Sequence, residues 1–254
     1  MVINLETLTK KWWFYVLLFF ISLFLLPTIS DVPFSPEKTN LVIMEVLMYG
    51  LIPYHPYAIV FHILTVIIVI GLLYSPQKFI RIFYIYMSIN FFLIGIFQNI
   101  TQTETYGRVI LLGNIFLSFS LGLVWLWAGI KSSITPPEKV PRWKYWGLPL
   151  AILAFWSPMT SDGQPSLDPF YLLYSDFGLA ICFTIPVFLF ILSVFHPNVN
   201  RPAFRLTAII GLYFGIMNMM GPLFFPGYPL WVVFLHVPLF SLSIYAIFLE
   251  IKQK

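Results

Sequence analysis

The chain has 254 residues, of which 59% are hydrophobic, 19% aromatic and only 9% charged. Ordinary soluble domains carry roughly a quarter charged residues, so a water-solvated globular fold is excluded. A net charge of +4 does not point to nucleic acid, because the Lys and Arg are scattered through short connections beside apolar segments.

Crossing a hydrocarbon layer of ~30 Å takes about 20 residues of helix, since backbone polar groups cannot be left unpaired in lipid. The apolar segments predict an all-α, polytopic transmembrane helix bundle of eight spans, a single domain over residues 1–254. Lys10-Lys11 precede the first span, residues 12–28. No small-residue cleavage site follows, so this segment reads as a retained helix and not as a signal peptide. Ser35-Pro36-Glu37 then open an interfacial amphipathic helix over about residues 35–49. Ser35 is its expected cap, Pro36 fits the first turn, and Glu37 complements the positive helix end. Pro53 and Pro56 break that helix before the second span, residues 57–74.

The later spans are expected at residues 78–100, 106–130, 143–159, 168–195, 204–220 and 228–250. The fifth is short and carries Pro149 and Pro158, but charge favours its crossing. With it, Lys10, Lys11, Lys78, Arg81, Lys131 and Lys139 lie on one side with Arg142, Lys144, Arg201, Arg205, Lys252 and Lys254. Only Lys38 and Arg108 then lie opposite; without the crossing the last four would change sides. Basic residues in short loops stay cytoplasmic, which predicts both termini inside a cell membrane. Arg142 and Lys144 are expected to snorkel to that interface. The outer loops are acidic, with Asp31, Glu37, Glu45, Glu104, Asp162 and Asp168.

Depth follows from the ~1.5 Å rise per helical residue. Asp176 comes out ~12 Å below the outer end of the sixth span, with His62, His236, Gln98, Asn99, Asn114 and Asn218 at comparable outer depths. Ionisable groups in a membrane usually face a bundle interior or water, so the set predicts an outward-facing polar cavity for a ligand or proton. Glu45, His55 and Arg108 are expected at its mouth. Each also has a plainer reading: Asp176 and the amides as glue between helices, the histidines as neutral packed rings. Cys182, the one cysteine, reads as a small buried apolar residue and permits no internal disulfide or thiolate metal cluster.

Motifs add little. There is no Gly-rich phosphate loop, no His-Glu-x-x-His pattern and no Ser/His/Asp set at a shared depth. Gly211 and Gly215 have the spacing that lets helices pack closely. From Pro33 onward the chain resembles an uncharacterised bacterial family of multi-pass membrane proteins, a domain of unknown function. The likeness is carried by Pro33 to Glu37, by Phe177-Gly178-Leu179 with Cys182 and Thr184, and by the Gly-punctuated run after Arg205. Asn90 stands where a His is expected in that family. The resemblance implies a membrane fold and draws attention to residues 176–184, but brings no activity.

Three function classes remain open. The first is a small-solute or ion permease or channel-like protein, with Asp176 neutralised by ligand or proton; its partners are the lipid bilayer and a small polar solute or ion, with no nucleic acid. The second is a redox subunit or enzyme holding metal or haem on His62 and His236, and no cofactor is favoured over none. The third is an accessory subunit, working with a membrane-protein partner or as a homo-oligomer.

Overall fold

The computed structural model describes residues 5–25, 28–131, 140–160, 163–224 and 228–252. Lys139, Asp162 and Lys254 of the topology argument lie outside the described residues.

The described residues are 75% helical. A short helix α1 (Leu5–Leu8) leads into α2 (Trp12–Phe20), which continues as a π-helical turn over Ile21–Leu25. Next come α3 (Thr39–Tyr49), α4 (Ala58–Tyr74), α5 (Pro76–Phe97), α6 (Leu112–Lys131), α7 (Leu148–Trp156) and α8 (Tyr171–Tyr174). The last are α9 (Ile181–Phe195), α10 (Arg201–Met219), α11 (Gly221–Phe224) and α12 (Leu230–Ile251). Among the described residues, five helical stretches are long and apolar enough to cross a membrane: Pro36–Tyr74, Pro76–Phe97, Leu112–Lys131, Arg201–Met219 and Leu230–Ile251. The first holds 39 residues, about twice what a crossing takes. A 3₁₀ turn over Ile52–Tyr57 separates α3 from α4 within it, so α4 is the part of crossing length.

The faces explain themselves. On α4, Val60, Ile63, Ile67, Ile70 and Leu73 recur every three or four residues and are each at least 46% exposed. Such an apolar stripe is costly in water and at home in lipid. In α9, apolar all round, every residue but Phe190 is buried, which makes it the central helix against α7, α10 and α12. Rings of Phe83, Phe91 and Phe177 meet Phe188 of α9 edge to face, at 5.5, 5.8 and 6.3 Å.

Four expectations need correction. First, the bundle is not purely helical: β1 (Thr28–Ser30), β2 (Ile100–Thr103) and β3 (Gly107–Leu111) form an antiparallel sheet in the order β1-β3-β2. The alternation of buried Thr101 and Thr103 with exposed Gln102 is the period-two signature of a strand. The first, third and fourth spans are correspondingly shorter than predicted. Helix α3 packs Val42 and Val46 on this sheet against Tyr106, Val109 and Leu111. Its expected Ser35 cap makes no side-chain bond; Thr39 Oγ1 donates to Pro36 O at 2.7 Å instead.

Second, the fifth span is a 3₁₀ turn (Arg142–Gly147) followed by the nine-residue α7. At ~2.0 and ~1.5 Å per residue the two reach only ~26 Å. Third, Lys144 does not snorkel outward. It is 8% exposed and its Nζ donates to the carbonyls of Val194 and His196. Fourth, the sixth span is broken. Only α9, at 15 residues, is a regular apolar helix there, and Ser175 to Ala180 before it is not helical.

The bundle has two distinct ends. One carries the sheet, α3 and the break before α9. At the other, Arg205 bonds both Glu6 and Glu250, so both extremities of the described chain meet there.

Candidate functional site

The break is where polar chemistry concentrates. Ser175 and Ala180 have extended backbone, and Gly178 sits at φ +82°, a conformation that only glycine adopts without strain. The segment is nevertheless in the interior: Phe177 and Leu179 are fully buried, and Ser175 and Ala180 nearly so. Non-helical backbone at membrane depth persists only where the protein itself satisfies its polar groups. Here side chains from neighbouring helices do so. Asn90 Nδ2 of α5 donates to Gly178 O at 3.0 Å, and Gln98 Oε1 accepts from Ile181 N–H at 3.0 Å. Thr184 Oγ1 accepts from Gly178 N–H at 2.9 Å.

His62 of α4 completes the grip. Its Nδ1 is 2.9 Å from Ala58 O, and its Nε2 is 3.1 Å from Ser175 Oγ and 3.2 Å from Phe155 O. The Ser175 hydroxyl gives its proton to Phe155 O at 3.0 Å, so towards the ring Ser175 Oγ is an acceptor, and each ring nitrogen lies within hydrogen-bond distance of a protein acceptor. Both ring nitrogens are thus engaged within the protein.

At the sheet end the break meets its mouth. His55 Nε2–H donates to Asp176 Oδ1 at 2.7 Å, with side chains 23% and 18% exposed. The hydrogen bond that the ring donates to the Asp176 carboxylate raises His55 above its ordinary imidazole value, against its burial and with Asp176's charge adding to the rise. Asp176 is therefore not ~12 Å down a continuous helix, since the chain unwinds around it.

The other predicted residues divide. Asn218 Nδ2 is 3.4 Å from Cys182 Sγ and donates to Phe214 O, and the His236 ring lies 5.7 Å from the Phe183 ring. Both thereby reach the first turn of α9. Cys182 is buried as expected. Asn99 only closes its own helix, donating to Ile94 O and Gly95 O, and Asn114 is half-buried in α6, bonded to none of the others of the set among the described residues. Arg108 is exposed, its backbone N–H donating to Asp31 Oδ2. Glu45 accepts from Thr105 N–H and lines a groove of ≈ 390 Å³ between α3 and the β2–β3 turn. Of the three mouth residues, only His55 bonds to the break. Among the described residues, Asn90, Gln98 and Thr184 bind the backbone of the break and the start of α9.

His62 has no unengaged nitrogen, and among the described residues no three His, Cys, Asp or Glu side chains gather as a metal site.

Sequence reasoning missed an ionic cluster at the opposite end. Glu250 accepts from Arg205 Nε at 2.6 Å, from Arg201 Nε and Nη2 at 3.0 to 3.2 Å, and from His196 Nε2 at 3.0 Å. Arg205 also reaches Thr9 and Glu6. Burial pushes Glu6 up, but hydrogen bonds from Lys10 and Arg205 outweigh it and leave the carboxyl below its usual value. The signal was present: Glu250 lies in the last turn of α12 and Arg201 in the first turn of α10, each opposite to what the helix dipole favours.

This chain matches no protein-family model, no curated protein and no solved structure.

Proposed function

We propose that the chain is a small-solute permease or channel-like membrane protein, crossing eight times with both termini in the cytoplasm. One observation carries the reading: a buried, unwound segment precedes the apolar helix at the bundle's centre, bonded by side chains of α4 and of the end of α5, with an acid, Asp176, in it. Discontinuous helices of this kind supply solute-facing backbone in secondary transporters. The His55–Asp176 pair is the closure at the sheet end, and the Glu250 cluster is the closure at the other. Asp31, Glu37, Glu45, Glu104 and Asp168 accompany Asp176 on the sheet side, which favours a cation or a proton-coupled solute.

The test is flux into vesicles reconstituted with the purified chain and loaded with a pH-sensitive dye. Monovalent cations, small amines and amino acids are imposed as gradients in turn. One class should move faster than through protein-free vesicles, and Asp176→Asn should abolish that excess. Equal flux with and without protein for every class sinks the proposal.

A second reading is an accessory subunit. It is favoured by the bonds that His62 Nδ1, Asn90 Nδ2 and Gln98 Oε1 make to the protein's own backbone. It predicts that their replacement changes stability and leaves any flux untouched.

A further inference from the structure

Beside the ionic cluster, α2, α10 and α12 leave a surface groove of ≈ 690 Å³. One end of it is cationic, with Lys10, Arg201 and Arg205, and their counter-charges are Glu250 in the groove and Glu6 just behind it. Two carboxylates do not neutralise three cations. The surplus positive charge is best presented by Lys10 and Arg201, whose side chains are 46% and 27% exposed, while Arg205 is 10% exposed and committed to Glu250, Thr9 and Glu6. His196 touches Glu250 from behind and is 2% exposed. The remainder of the groove is apolar, walled by Ile209 and Ile247, with Trp12 at its lip 76% exposed.

A groove basic at one end and apolar along its length fits an amphiphile better than a free ion, which would leave Ile209 and Ile247 facing water. Its height fits too, because an exposed Trp beside Lys10 and Lys11 marks the headgroup level of a bilayer. We infer that this groove holds an anionic phospholipid, its phosphate against Lys10 and Arg201 and its acyl chains along Ile209 and Ile247. The inference rests on the chain residing in a bilayer and is independent of any transport, so lipid binding and flux can fail separately.

The experiment is native mass spectrometry of the full chain, delipidated in neutral detergent and titrated with phosphatidylglycerol, phosphatidylcholine and inorganic phosphate. Each basic side chain near an anionic headgroup strengthens binding about fivefold. Phosphatidylglycerol should therefore bind at least about tenfold tighter than phosphatidylcholine. The double variant Lys10→Gln, Arg201→Gln should lose most of that preference, whereas Arg201→Lys keeps it. Glu250 retains Arg205 and His196 in both, and an unchanged melting midpoint verifies the fold. Equal binding of the two lipids, or a preference that survives the double variant, overturns the inference. So does displacement of the lipid by inorganic phosphate at equal concentration, which would make this a free-anion site. If the double variant fails to fold, quenching of Trp12 in the unaltered chain decides, with Trp12→Phe as the subtraction. Brominated phosphatidylglycerol should then quench more than brominated phosphatidylcholine, and equal quenching overturns the inference.

Discussion

Glu250 is the residue on which the most charge depends. Its carboxylate is 8% exposed and compensates two guanidiniums, one of them nearly buried. Removing one partner of a buried pair leaves an uncompensated charge and costs about 3 to 5 kcal/mol. Glu250→Ala should cost stability of that order, seen as a lowered thermal midpoint in detergent, and Arg201→Gln should lower the midpoint much less; equal small effects would show the cluster to be solvated. His55 makes a second, pH-dependent contribution. Its value is raised in the folded protein, so its stabilisation is fully present below about pH 6.5, the ordinary imidazole value, and fades as pH rises through the folded one. The melting midpoint of the unaltered chain minus that of His55→Gln should therefore shrink between about pH 6 and about pH 9. A difference that stays flat or grows with pH would contradict the Asp176 pairing.

Among the elements, the path from Tyr171 to Phe195 separates what was readable from what was not. The long apolar segments announce themselves by length, and among the described residues five helical stretches are long and apolar enough to cross a membrane, because hydrophobic length is a local property. The break is not local. Residues 175 to 180 are apolar enough to pass for helix, and only tertiary partners on α4 and α5 make their unwound form stable. The same holds for the sheet, where Val109 to Leu111 run without a change of composition into α6. Gly178 was the local hint, since Phe61 of α4 lies against it: a Cβ there would stand 2.3 Å from Phe61 Cβ. Gly178→Ala should cost about 2 to 4 kcal/mol, from the positive φ together with the overlap. Adding Phe61→Gly, which removes the Cβ itself, should return the overlap part but not the backbone part, giving a non-additive cycle by thermal unfolding. Strict additivity would mean that α4 does not press on the break. Close approach is tolerated elsewhere by the same means: Gly211 and Gly215 let α10 lie against Ser243 and Phe240 of α12, as their spacing predicted.

At the scale of the molecule, the meeting of Glu6 and Glu250 on Arg205 requires an even number of passages between the two ends of the bundle. Eight passages satisfy this only if the short α7 counts as one, and six if it does not and α9 pairs differently. Its geometry supports counting it, since Lys144 at its start bonds carbonyls near His196 while Phe155 near its finish meets His62 and Ser175 at the sheet end. The single cysteine makes this easy to test, because Cys182→Ala leaves a cysteine-free chain. In that background Thr105→Cys in the β2–β3 turn and Gln164→Cys after α7 both introduce exposed thiols at the sheet end, and Lys11→Cys introduces one at the other. A membrane-impermeant maleimide on intact cells should label positions 105 and 164 alike, and position 11 only after permeabilisation. Labelling of 105 without 164 would mean that α7 turns back within the bilayer. Labelling of 11 alone would invert the molecule, and the acidic face with its His55–Asp176 closure would then look into the cytoplasm, against the retention of Lys and Arg on that side.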